Sequence, residues 1–284
     1  MIDSARERSA QGQFIQRLSQ LPWWLLFILL AGLVLFYQIT TNALYSDILQ
    51  RLVRGISLTL FVTAVAYLAA ITIGLLVGLG RVSKNPILYN LATLYVQVIR
   101  GVPMLVQLFY VTFVLTPLFF DLLNWIGLQM SGFLGANNFL MAAKTQDVSL
   151  LARAVIALTF AYGGFEAETF RAGIESIGQG QMEAARSLGL SYLQAMRYVI
   201  LPQAIRRILP PLGNDLIAML KDSSLVSALG VRDVTQEARL YVAVTFRYPE
   251  TYNMLAFTYL SMTILLSLGV KWLEKRLSKD GRFS

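Results

Sequence analysis

This sequence predicts an all-α membrane protein with about six transmembrane helices, on three observations. Of its 284 residues, 56% are hydrophobic and 14% charged, with a mean hydropathy of +0.59. Soluble domains carry about 25% charged residues. Six apolar stretches, at about 23–40, 57–80, 88–115, 151–174, 209–229 and 252–272, come near the ~20 residues that a helix needs to cross a bilayer. Basic residues are also unevenly shared between the connections. With the N-terminus inside, fifteen fall on the inner side and seven on the outer side. That excess predicts cytoplasmic termini.

Composition excludes several chemistries. The chain has no cysteine and no histidine. Thiol nucleophiles, thiolate or imidazole metal sites and Ser-His or Cys-His pairs are therefore absent, and no metal site is expected. No Gly-x-x-x-x-Gly-Lys-Ser/Thr loop occurs, so no P-loop binds ATP in this chain. The net charge of +8 reads as cytoplasmic loop charge rather than a nucleic-acid footprint, because no basic stripe lies on a soluble domain.

The first stretch, Pro22 to Ile39, follows Arg6, Arg8 and Arg17 and reads as a retained signal anchor. The second contains Gly74 and Gly78, a Gly-x-x-x-Gly pair that permits close helix contact. The third contains Arg100-Gly101-Val102-Pro103, where the backbone can break. From Phe119 to Leu150 runs a long outer connection with turn signals at Gly132, Gly135, Asn137 and Asn138. Within it, Phe119, Phe120, Trp125, Ile126 and Leu128 suggest a helix lying in the membrane interface. Division of the chain follows: an arm over 1–21, a helix and short loop over 22–52, a membrane domain over 53–275 and a tail over 276–284.

Between the fourth and fifth stretches lies a more polar segment. It reads Glu183-Ala184-Ala185-Arg186-Ser187-Leu188-Gly189, nine residues, then Val199-Ile200-Leu201-Pro202. Glu183 to Leu188 favour helix. Gly189 can take the left-handed conformation that ends one. Ser191 and Gln194 have capping-box spacing for a second helix. Leu193, Met196, Val199 and Ile200 recur at helical spacing. Pro202, lacking a backbone donor, predicts an end or kink there. On periodicity alone, an amphipathic hairpin on the membrane surface remains open.

The spacing of this segment resembles the EAA motif of ABC importer permeases, with Val199 where the family most often has Ile. Three further blocks resemble the histidine/glutamine-type polar amino-acid permeases: Arg100-Gly101-Val102-Pro103, Glu168-Thr169-Phe170-Arg171-Ala172-Gly173-Ile174 and Lys221-Asp222-Ser223-Ser224-Leu225. The resemblance runs from about Gly55 to Lys275. It departs at Phe165-Glu166-Ala167, where the family usually has an aromatic-x-Ala run, so Glu166 is an extra carboxylate.

The resemblance implies a type I ABC importer transmembrane domain, with a five-helix core and one added N-terminal helix, in the bacterial inner membrane. Glu183, Ala184, Ala185, Gly189, Leu201 and Pro202 would form the coupling element against a separate ATP-binding subunit. ATP and magnesium would act there, with no cofactor in this chain. A second permease, itself or a sister, and a periplasmic or lipoprotein amino-acid-binding protein complete the implied partners. Membrane lipid surrounds the chain, and no nucleic acid is implied.

Charged residues inside apolar spans are costly, at least about 2.5 kcal/mol each on insertion scales, and mark pathways or internal pairs. Arg100, Glu166, Glu168 and Lys221 are the candidate substrate contacts. Arg100 could grip a carboxylate with its planar fork or pair with Glu166 or Glu168. Glu168 and Arg171, three apart, could pair on one helix face. Glu166 points elsewhere on the helix. Lys221-Asp222 reads first as structural pairing. An ion-coupled secondary transporter or channel is the alternative function, and an intramembrane enzyme using Glu166 and Glu168 is a third, disfavoured by their spacing of two.

Overall fold

The computed structural model describes residues 23–135 and 138–279. Arg6, Arg8, Arg17, Asn137 and Arg282, and with them the expected arm, lie outside the described residues. Among the described residues every regular element is helical.

Helix α1 spans Trp23–Thr41 and α2 spans Ala43–Arg81. The loop expected between them shrinks to Asn42, whose side chain accepts from the Leu44 amide at 3.0 Å and starts α2. The second span is thus a 39-residue helix, about 58 Å long at 1.5 Å per residue. Asn85 caps α3, Pro86–Gly101, with Pro86 in its first turn, where a missing donor costs nothing.

The expected third span, 88–115, is not one helix. It breaks at Val102-Pro103, and α4 runs Met104–Gln129 with a π turn at Val111–Leu115. Pro103 cannot donate, and the residue before a proline is pushed to extended backbone. Gln107 repairs the break by donating from Nε2 to the carbonyls of Ile99 (2.7 Å) and Val102 (2.6 Å). The interfacial helix expected around Phe119–Leu128 is the far half of α4 rather than a separate element. The outer connection then turns at Gly135 (φ +93°) and Asn138. It is clamped by buried Arg153, whose guanidinium donates to the carbonyls of Val148 (2.9 Å) and Thr145.

Ser149 caps α5, Leu150–Glu175. Helix α6 covers Gln179–Ser187 and α7 covers Tyr192–Ala195. A π turn at Met196–Ile200 then leads into α8, Leu201–Asp222. The expected fifth span, 209–229, is displaced: α8 begins at Leu201 and ends at Asp222, and Ser223–Leu229 is a 3₁₀ turn closed by Gly230 at φ +77°. Asp233 caps α9, Val234–Thr245, and α10 spans Tyr248–Lys279.

Among the described residues, four helices, α2, α4, α5 and α10, are long and apolar enough to cross a membrane. The apolar run of α1, Leu26–Thr41, is shorter. Helix α8 carries Arg206, Arg207, Asp215, Lys221 and Asp222, so it depends on neighbours rather than lipid to cover its polar face.

Packing is centred on α2 against α5. Lipid tails are as apolar as leucine, so close approach of small residues, not water exclusion, drives helix association. A Cβ at Gly74 would sit 2.4 Å from Glu166 Cβ, and one at Gly78 would sit 2.8 Å from Phe170 Cβ. The Gly-x-x-x-Gly pair is therefore the seat of α5. Around this seam Val62, Ala66, Leu158, Tyr162, Met219 and Val226 form the main core. Ile48, Leu52, Val234, Tyr241 and Met254 form a second at the end away from Glu183–Pro202, and Ile177, Ile200, Ala204 and Ile208 form a third beneath that hairpin.

Candidate functional site

The Glu183–Pro202 segment folds as two short helices. Helix α6 ends in a Schellman arrangement: the Gly189 amide donates to Arg186 O at 3.0 Å, and the Leu190 amide donates to Ala185 O at 3.2 Å. Gly189 sits at φ +86°, where a Cβ is strained. Ser191 Oγ then accepts from the Gln194 amide at 3.3 Å, while Gln194 Oε1 accepts from the Ser191 amide at 2.9 Å, completing the capping box.

Pro202 does not end the helix as expected. It lies in the first turn of α8, and the π turn over Met196–Ile200 precedes it. Looser i→i+5 bonding leaves room for the ring and needs no donor from it.

The hairpin presents two faces. Ala185 and Ala195 are buried, and their small side chains let the two helices meet. Glu183 and Ala184 are exposed, as are Leu188 (84%) and Leu193 (77%). Tyr192 and Tyr198 are also exposed. A groove of about 370 Å³ lies beside them, lined by Tyr198, Val199, Pro202, Gln203 and Arg206. Leu201 is half-buried at the root of α8. Exposed apolar and aromatic groups on a polar hairpin are what a protein-binding surface requires.

Among the intramembrane charges, Glu168 is the hub. Its carboxylate pairs with Arg81 at the end of α2 and with Arg171 one turn along α5, and Arg171 also pairs with Glu175. Arg100 stands further off, Nη1 to Glu168 Oε2 at 3.9 Å, with a half-exposed side chain. Thus Arg100 meets Glu168, not Glu166. The cluster ties the ends of α2, α3 and α5 together on the side that leads into the hairpin.

Glu166 is separate. It is fully buried, faces Gly74 of α2, and neither carboxylate oxygen has a hydrogen-bond partner among the described residues. On neighbouring elements, the Tyr162 hydroxyl donates to Asp222 Oδ2 at 2.8 Å, and the Tyr67 hydroxyl donates to the Leu212 carbonyl. Lys221 is exposed on α8 and makes no ion pair among the described residues. The expected structural pairing at this site is therefore made by Asp222 alone. Two features were missed in the sequence: Arg81 as partner of Glu168, and the tyrosines lining the α2–α5–α8 interior. Arg81 closes an apolar run, and nothing local marks its partner 87 residues away.

Comparison with known proteins agrees with this arrangement. Residues 70–279 match the family model described as "Binding-protein-dependent transport system inner membrane component". The chain is 37% identical over 222 residues to the probable glutamine ABC transporter permease protein GlnM of Bacillus subtilis, covering 78% of this chain and 91% of that protein. To the glutamine transport system permease protein GlnP of Escherichia coli it is 33% identical over 226 residues, covering 80% and 92%. Among solved structures, an amino acid ABC transporter with histidines superposes with a TM-score of 0.66 at 35% identity, covering 84% of this chain and 98% of that one. The inward-facing MetNI methionine ABC transporter shares the fold, with a TM-score of 0.59 at 21% identity and coverage of 81% and 98%. With residues 70–279 matched to the family model and more than a third of the sequence shared with an ABC permease over most of both chains, the chain belongs to the binding-protein-dependent transport system inner membrane components, the permease subunits of ABC importers.

Proposed function

We propose that this chain forms the translocation pathway of an ATP-driven importer of polar amino acids. The observation that carries the reading is the Glu183–Pro202 hairpin, a rigidly capped element with exposed apolar side chains, set on a third apolar cluster at one end of the helix bundle. A separate ATP-binding subunit, using ATP and magnesium, docks on Glu183, Ala184 and the neighbouring exposed groups. Buried Ala185, positive-φ Gly189, and Leu201 and Pro202 at the root of α8 hold the hairpin's shape. The hairpin end is cytoplasmic, and so are both termini, as the fifteen-to-seven basic excess supports. A second permease, a copy or a sister, completes the path, and an amino-acid-binding protein delivers cargo from outside. The first helix lies outside the matched 70–279 region and is an addition to the core.

The substrate meets Glu166 and Arg100 in this reading. A buried carboxylate without a partner is costly unless it is protonated or meets a cation, and an amino acid brings an ammonium. Arg100, only loosely held at 3.9 Å, is free to turn to a carboxylate. Lys221, exposed on α8, is a third contact. Glu168 reaches substrate only if it leaves its arginines, so its first role is the ionic cluster. The test is Gly189→Val and Glu183→Lys, each assayed for insertion, ATPase binding and amino-acid uptake. Inserted protein with uptake abolished is expected. Normal uptake in both variants, or uptake that survives ATP depletion as in an ion-coupled carrier, removes the proposal.

A further inference from the structure

Glu166 and Glu168 stand two residues apart on α5 in opposite surroundings. Glu168 is part-exposed and held by Arg81 and Arg171. Glu166 is 0% exposed, and among the described residues neither of its carboxylate oxygens has a hydrogen-bond partner. An orphaned polar group in a native interior calls for an explanation. An ionisable one at membrane depth points to function.

The groups that face Glu166 can be taken helix by helix. On α2, Gly74 packs directly on it, a Cβ there falling 2.4 Å from Glu166 Cβ. Tyr67 of the same helix also lies within its electrostatic reach. From α3 come Ile99, packed on Gly164, and Arg100, which turns to Glu168 instead. On α5 itself, Tyr162 precedes it by one turn. From α8 comes Asp215, the charged group within reach of Glu166 among the described residues, and it is a second acid. Neither tyrosine is left to donate. The Tyr67 hydroxyl gives its hydrogen to the Leu212 carbonyl, and the Tyr162 hydroxyl gives its own to Asp222 Oδ2 at 2.8 Å. A hydroxyl has one hydrogen to give. A carboxylate anion in this place thus has neither donor nor counter-charge, and its least costly escape is to hold a proton.

We infer that Glu166 is a proton-exchange site of the transport cycle, neutral while α2, α5 and α8 are packed together and ionised while a substrate ammonium lies against it. The inference rests on the importer reading above and deepens it. As the ammonium arrives, the carboxylic acid gives its O–H proton to water in the pathway, leaving a carboxylate–ammonium pair. When the amino acid departs, the carboxylate takes a proton back, and Glu166 returns to its starting state. The physical reason is charge balance. The buried site carries no net charge in either state, so neither a lone carboxylate nor a lone ammonium is ever buried. The pair that forms is a charge-assisted hydrogen bond, stronger than a neutral one. A metal cation suits the place less well, since no three His, Cys, Asp or Glu side chains gather as ligands among the described residues.

The test uses the complete permease–ATPase complex in nanodiscs without the soluble binding protein, whose own affinity then does not enter. Infrared difference spectra are recorded with and without arginine or glutamine, on wild-type protein carrying isotope-labelled glutamate. The expected signal is a protonated-carboxyl C=O band that shifts with the label and disappears when substrate is added. It should be missing from Glu166→Gln and kept in Asp215→Asn. In weakly buffered solution, about one proton should be released per amino acid bound. Because proton and ammonium compete, the half-saturating amino acid concentration should fall as pH rises, by up to about tenfold per pH unit, and stay flat within about twofold in Glu166→Gln. A labelled band that is absent without substrate, or unchanged by it, overturns the inference. Both are read in the wild-type chain and hold even if Glu166→Gln fails to fold. Affinity that follows sodium or potassium and not pH also overturns it, in favour of a metal cation. ATP-dependent uptake by the same complex in proteoliposomes, with binding protein added, checks the importer reading by itself. Uptake without the labelled band leaves that reading standing and removes the exchange, whereas absence of ATP-dependent uptake removes both.

Discussion

Replacing Glu168 with glutamine separates a structural carboxylate from a ligand. In the native chain Glu168 pairs with Arg81 and Arg171, and Arg100 stands at 3.9 Å. The Arg81 side chain is 11% exposed and its Nε already has no partner. Glu168→Gln keeps the shape but leaves Arg81 without a counter-charge. Removing one member of a fully buried pair costs about 3–5 kcal/mol. The Glu168 side chain is 26% exposed, and Arg171 retains Glu175, so solvent screening reduces the expected cost to about 1–3 kcal/mol. For a chain of this size that corresponds to a loss of very roughly 2–10 °C in melting temperature. The assay is thermal unfolding of the purified complex followed by size-exclusion chromatography, run beside concentration-dependent uptake. The double variant Glu168→Gln/Arg81→Gln removes the stranded charge and should recover part of the loss. A melting temperature within 1 °C of wild type, together with a raised KM for uptake, would refute the argument and make Glu168 a substrate contact.

Other expectations follow from the same geometry. Gly74→Val places side-chain atoms where even a Cβ would lie 2.4 Å from Glu166 Cβ; a loss of about 1–3 kcal/mol or more is expected from overpacking, read as reduced folded yield, and wild-type yield would exclude the close α2–α5 seam. If Glu166 meets a basic side chain, Glu166→Gln should impair uptake of arginine more than of glutamine or glutamate; equal loss for all three at unchanged thermal stability points instead to the ammonium they share, and equal loss with lowered stability makes Glu166 structural. A cysteine at Ser187 should react only with membrane-permeant reagents in intact cells and one at Lys144 with impermeant ones; the reverse pattern inverts the topology. Asp233, the buried cap of α9, has its carboxyl pushed up to about 6, first by burial, against the opposing hydrogen bonds from Gln236, Thr235 and Tyr259. Because its folded pKa is raised, the stabilisation is fully present below the unfolded carboxyl value and is lost as pH rises through about 6. Thermal stability should therefore gain an increment between pH 7 and pH 5 that Asp233→Asn, which keeps the cap, lacks.

The sequence by itself determined what depends on neighbours along the chain. Gly189 and the Ser191–Gln194 pair specify the hairpin through bonds spanning three to five residues, so its caps were legible before any helix was placed. Apolar runs set which segments enter a bilayer, and the absence of cysteine and histidine set which chemistry cannot occur. Tertiary structure decided the rest. Pro202 reads as a stop in isolation, yet a π turn carries the helix past it. The run 88–115 reads as one span, yet Pro103 breaks it and Gln107 satisfies the freed carbonyls. Glu166 and Glu168 look alike in sequence. Two residues of helix turn them to different neighbours, one against Gly74 with no hydrogen-bond partner among the described residues and the other into three arginines. Arg81 is 87 residues from Glu168 along the chain, and no periodicity encodes that pairing. It arises because two glycines on α2 let α5 approach closely enough for the ends of the helices to share one carboxylate.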